Sequence, residues 1–126
     1  MADSVEIRDS RFASVVGKSV AVERLATGFL FTEGPLWHAR DRYLLFSDMP
    51  GDHIRRWSAA GGVTTFRRPC GQSNGLAWDR EGRLIACEHA TSRLTRTEMN
   101  GGITVLASRY GGKELNSPND VVVKSD

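Results

Sequence analysis

Glu33-Gly34-Pro35-Leu36-Trp37-His38 realigns on Asn74-Gly75-Leu76-Ala77-Trp78-Asp79 with an offset of 41, so Gly34 meets Gly75 and Trp37 meets Trp78. After a one-residue slip the offset is 40, and Ile54 falls on Leu94, Gly61-Gly62 on Gly101-Gly102, Val63 on Ile103 and Phe66 on Leu106. A self-match of this period marks stacked supersecondary units rather than a single layered core. Within each unit short apolar runs alternate with turn residues. They predict strands at 35–38, 43–46, 53–57 and 63–66, and again at 76–78, 83–87, 93–97 and 103–107. Four short antiparallel strands per repeat of about 40 residues describe a β-propeller blade, which must stack on its neighbours to bury both faces. A meander sheet or sandwich is the competing arrangement.

Outward from these units the template continues. Val22 precedes Glu33 by the interval that separates Val63 from Asn74, so residues 20–26 align with a fourth, outermost strand that could complete a ring's last blade. Asn119-Asp120-Val121-Val122-Val123 matches the start of another inner strand. The expected organisation is therefore an N-terminal extension (1–19) and an all-β partial propeller (20–126). The latter divides into a closing strand (20–32), a first blade (33–73), a second (74–118) and the start of a third (119–126). Two complete blades cannot close a ring, so missing blades would be needed, with self-association the alternative.

Composition narrows the function classes. The 126 residues are 40% hydrophobic and 25% charged, with 17 Lys plus Arg against 15 Asp plus Glu spread along the chain. That mixture suits a packed domain and supplies no basic stripe for nucleic acid. The uncharged run at 25–32 is far too short to span a membrane, and the first ten residues lack signal-peptide character, so a cytoplasmic location is expected. Cys70 and Cys87 form no metal or redox motif and read as small core residues.

Blade geometry places Glu33, Asn74 and Asn119 at equivalent strand starts on one mouth of the channel, with Asp48, Glu88 and His89 further out. One carboxylate and two amide oxygens suit calcium or a similar divalent ion. Each also has a plainer reading as a hydrogen-bonding strand or loop residue, and Asp48 reads better as structural. Trp37 and Trp78 read as core between blades, and Arg55-Arg56 and Arg67-Arg68 as solvated charges.

Phe31-Thr32-Glu33-Gly34-Pro35-Leu36-Trp37, Leu45-Phe46-Ser47-Asp48-Met49-Pro50, Asn74-Gly75-Leu76-Ala77-Trp78-Asp79, Gly82-Arg83-Leu84-Ile85-Ala86-Cys87-Glu88-His89 and Leu115-Asn116-Ser117-Pro118-Asn119-Asp120-Val121-Val122-Val123 resemble the N-terminal portion of a bacterial gluconolactonase. That family also holds regucalcin, the senescence marker protein. The resemblance covers about residues 20–126 and implies a six-bladed, calcium-dependent propeller that opens lactones. It assigns Glu33 and Asn119 to the metal, which could also be zinc, magnesium or manganese, and leaves Asn74, Glu88 and His89 for a small-molecule lactone. The expected catalytic Asp lies beyond residue 126, so the chain alone is expected to be inactive. Animal members carry an Arg where this chain has Ser117. The fold alone leaves other classes open: a non-catalytic metal- or ligand-binding propeller, a truncated product, or a phosphotriesterase-like or strictosidine synthase-like protein.

Overall fold

The computed structural model describes residues 3–17 and 20–125. Its strands are β1 (Asp3–Ser4), β2 (Ala21–Val22), β3 (Thr32–His38), β4 (Tyr43–Asp48), β5 (His53–Ser58), β6 (Gly62–Arg67), β7 (Ser73–Trp78), β8 (Leu84–Glu88), β9 (Arg93–Thr97), β10 (Ile103–Ala107), β11 (Arg109–Tyr110) and β12 (Lys113–Glu114). Strands β3-β4-β5-β6 form one antiparallel meander and β7-β8-β9-β10 a second, each in simple sequence order. The two pairs β1–β2 and β11–β12 are small separate ladders.

The sheets stack through β3 and β4 against β7. Strand alternation decides which side chains meet there. Tyr43 and Leu45 of β4 and Ile54 of β5 pack with Leu76 of β7, Leu84 and Ala86 of β8, and Cys70, with Leu36 and Trp78 at the margin. His38 joins this seam, stacked on Tyr43 at 4.6 Å and edge-on to Trp78 at 5.1 Å. The alternate residues Leu44 and Phe46, with Pro35, Trp57 and Val63, line a groove on the opposite face of the first sheet, bordered by Leu25, Ala26 and Phe29.

Four expectations change. Trp37 is 48% exposed, because it points to that opposite face, whereas its counterpart Trp78 is covered by the first sheet. Only Ala21–Val22 of residues 20–26 is strand, and it pairs with Asp3–Ser4 rather than with a blade. Residues 119–123 have no strand ladder: the Gly75 N–H donates to the Asn119 carbonyl at 2.8 Å, and Val121 to Val123 border an open groove with Ile85, Leu94 and Leu106. The arginine pairs split between roles, since Arg55 lies over the Phe29 ring and contacts Asp48, and Arg67 donates to Thr97 at 2.8 Å. The N-terminal stretch also carries one short helical passage, Ser10–Phe12 running into α1 (Ala13–Val16), capped by the Asp9 side chain.

Candidate functional site

Both innermost strands are bulged at the same point of the repeat. The β3–β4 register shifts between Glu33 and Leu36, and the β7–β8 register between Ser73 and Leu76. The bulges bring backbones together closely enough that glycine is required. Gly34 has φ +55°, and a β-carbon there would fall 2.1 Å from the Asn74 carbonyl oxygen. At Gly75 a β-carbon would meet the Asp120 α-carbon at 2.6 Å and the Asn119 carbonyl oxygen at 2.7 Å. Each strand-entry glycine therefore seats the backbone of the next unit's asparagine. This stepwise contact draws the segments bearing Glu33, Asn74 and Asn119 to one end of the stack.

Asn74 is buried, its carbonyl accepts from Ser47 Oγ at 2.8 Å, and its side-chain amide approaches Met49 Sδ at 3.8 Å. Glu33 is half-buried, opposite Ser47 in the ladder, and stands at the rim of the free-face groove. Asn119 is exposed. Among the described residues no group of three or more His, Cys, Asp or Glu is placed to hold a metal ion. A divalent ion here would draw on Glu33 and amide oxygens, a hard donor set of the right chemistry but short of the six to eight oxygens calcium takes.

The outer residues are held by partners of their own. Asp48, 2% exposed, accepts from the backbone N–H groups of Leu30 at 3.0 Å and Phe31 at 3.2 Å, and faces Arg55 at 3.4 Å. Burial works to raise its pKa, but those N–H groups and Arg55 outweigh it and hold the carboxyl below the usual range. Asp48 thus pins the approach to β3. Glu88 sits at the equivalent position 40 residues on. Its Oε2 accepts from Arg93 Nε at 2.6 Å and Thr91 Oγ1 at 2.5 Å, and its Oε1 from Thr95 Oγ1 at 3.0 Å. Burial again opposes ionisation, and Arg93, Thr91 and Thr95 again prevail. His89 is exposed, its backbone joined to Gln72 and to the Ser117 hydroxyl.

Two residues unmarked by motif reasoning organise the neighbourhood. Asp52, left-handed at φ 51°, accepts from the N–H groups of Cys70 at 3.0 Å and Gln72 at 2.7 Å, fixing the turn that delivers β7. Ser47 is the other. Its only sequence signal was a small polar residue inside an apolar run. Both cysteines are buried thiols, as expected, and burial pushes Cys87 up to about 11.

Stacked antiparallel meanders of four strands, joined at bulged inner strands with carboxylate and amide residues at their entries, define a propeller-type all-β protein. The chain belongs to the SMP-30/Gluconolactonase/LRE-like region family, which matches residues 31–126. A gluconolactonase of Zymomonas mobilis is 28% identical over 125 residues, covering 88% of this chain and 35% of that protein. The solved structure of a Xanthomonas campestris gluconolactonase, described as important in glucose secondary metabolic pathways, superimposes with a TM-score of 0.86 at 34% identity. It covers 99% of this chain and 42% of that one. Virginiamycin B lyase from Staphylococcus aureus, at 17% identity and TM-score 0.54 over 80% of this chain and 33% of its own, shares the fold alone. The chain thus spans well under half the length of the gluconolactonases it matches.

Proposed function

We propose that this chain contributes part of a lactone-hydrolysing site of the gluconolactonase kind, with Glu33 and Asn119 holding a divalent cation, calcium first among the candidates, and Asn74 facing the lactone. The observation that supports the reading is the repeated seating of the Asn74 backbone against Gly34 and of the Asn119 backbone against Gly75, at neighbouring strand entries. Membership of a family whose gluconolactonase members match along most of the chain supports it.

Within this arrangement Glu33 supplies the negative charge and the amides supply dipolar oxygens and orientation. A bound ion would provide Lewis-acid polarisation of the lactone carbonyl. Glu88 and His89 stand further out. The Glu88 carboxylate is committed to Arg93, Thr91 and Thr95, so its part is to shape the rim that His89 presents. The 126 residues alone carry one carboxylate among these strand entries and are expected not to turn over lactone. Other strands of the same repeat type, from a longer polypeptide, would supply the rest.

Calorimetric titration of calcium into the parent and Glu33→Gln chains tests this. Weak binding in the parent that disappears in the variant, with folding retained, is the expected result. Equal binding in both would remove Glu33 from the site, and lactone turnover by the chain alone above the metal-free rate would refute the need for further strands.

A further inference from the structure

Ser47 and Ser73 are both completely buried, and their hydroxyls lie 3.1 Å apart between the two sheets. Each hydroxyl has one proton to give. Ser47 must spend its proton on the Asn74 carbonyl at 2.8 Å, because a carbonyl can only accept. The Ser73 hydroxyl then stands between Ser47 Oγ and Cys70 Sγ, the latter at 3.4 Å. The Ser73 hydroxyl donates to that sulfur. Ser47 is thus held inside the seam between Ser73 and the Asn74 carbonyl.

That carbonyl belongs to the same peptide group as the Gly75 N–H, which donates to the Asn119 carbonyl at 2.8 Å. One peptide plane therefore has its oxygen tied to Ser47, the residue opposite Glu33 in the β3–β4 ladder, and its N–H tied to Asn119. Donation into a carbonyl polarises the amide and strengthens its N–H as a donor. We propose that Ser47 is a positioning residue whose hydroxyl, acting through the Asn74–Gly75 peptide, sets the placement of Asn119 relative to Glu33. Its importance for function rests on reading Glu33 and Asn119 as one site; the coupling itself does not. The second unit lacks this device, since Cys87 occupies the position 40 residues after Ser47 and brings a weaker donor.

Amide hydrogen exchange by NMR on the 126-residue chain reads the coupling without any metal. In Ser47→Ala the Gly75 amide is expected to exchange about tenfold faster relative to the other amides of β7 and β8, the size of one lost hydrogen bond. Ser47→Cys keeps the volume nearly constant and should fall between the two; it also serves if the alanine variant does not fold. Acceleration of all these amides by one common factor, or no change at Gly75, would overturn the proposal, because a merely structural serine predicts one of those results. Calcium-induced shifts at Glu33 and Asn119 in the parent test the site reading separately. Their absence would sink that reading while leaving the Gly75 result to decide the role of Ser47.

Discussion

Replacing Gly34 with alanine probes the contact on which the stacking of the two sheets depends. Two costs combine. The residue sits at φ +55°, where a β-carbon strains the backbone by about 1–2 kcal/mol. The new methyl would also lie 2.1 Å from the Asn74 oxygen and 2.9 Å from its carbon, both backbone atoms that no rotamer change can remove. β3 and β7 would have to separate by about 1 Å to restore van der Waals distance. That movement stretches the Ser47 to Asn74 hydrogen bond, worth about 1 kcal/mol, and loosens the seam of Leu45, Ile54 and Leu76, with overpacking penalties of about 1–3 kcal/mol. The expected loss is about 3–6 kcal/mol, much of the stability of an ordinary domain. Gly82→Ala is the matched control, because Gly82 has φ +76° with nothing within 4 Å of an added β-carbon, and should cost only about 1–2 kcal/mol. Urea unfolding followed by tryptophan fluorescence compares them. If the two variants lose stability within about 1 kcal/mol of each other, the close approach of β3 to Asn74 contributes nothing beyond backbone strain and the reasoning fails.

Acid should destabilise the chain in two stages. His53 is held neutral by burial and by Arg55 and Arg68, with its pKa lowered, so the native state binds fewer protons than the unfolded one and stability falls once pH drops below about 6.5. The depressed carboxyls of Asp48, Asp52 and Glu88 add stability above their unfolded values of about 4, which is lost as pH falls further through their folded ones. Unfolding free energies across pH 3 to 8 should show both limbs, and His53→Gln should flatten only the upper one; a single limb in the parent would contradict the assignment. The free face of the first sheet, lined by Pro35, Leu44, Phe46, Trp57 and Val63, should make the chain self-associate. Sedimentation velocity over a range of concentrations is expected to show concentration-dependent species, and a compact monomer throughout would count against an open stack.

Much of the architecture was legible because the repeat carries it. The eight strands of the two meanders fall within a few residues of the positions that apolar runs and turn residues marked, and Gly34 and Gly75 announced their shared constraint by aligning with each other. Where partners decide, the pattern was silent. Residues 119–123 have an inner-strand sequence, yet a strand exists only where a neighbour completes its ladder, and here one hydrogen bond from Gly75 is what the segment gains from β7. Trp37 and Trp78 are equivalent in sequence and differ in exposure for the same reason: Trp78 faces a neighbouring sheet and Trp37 the uncovered side of its own.

The candidate site obeys the same distinction more sharply. Asp48 and Glu88 occupy one position of the repeat, both end a second strand, and both are buried carboxylates with depressed pKa values. Asp48 nevertheless spends Oδ1 on the main chain of Leu30 and Phe31, holding the entry to β3, and turns Oδ2 to Arg55, whereas Glu88 spends its oxygens on Thr91, Arg93 and Thr95 within its own unit. The repeat fixes where a carboxylate stands, and the donors around it fix what it does. Since those donors change from unit to unit even where the strands repeat, Arg55 on β5 standing at the position of Thr95 on β9, equivalence alone could nominate Glu33, Asn74 and Asn119 but could not reveal that one peptide group, Asn74–Gly75, ties their strands together. That link required Ser47 to be seen buried between the sheets with its only proton already directed at Asn74.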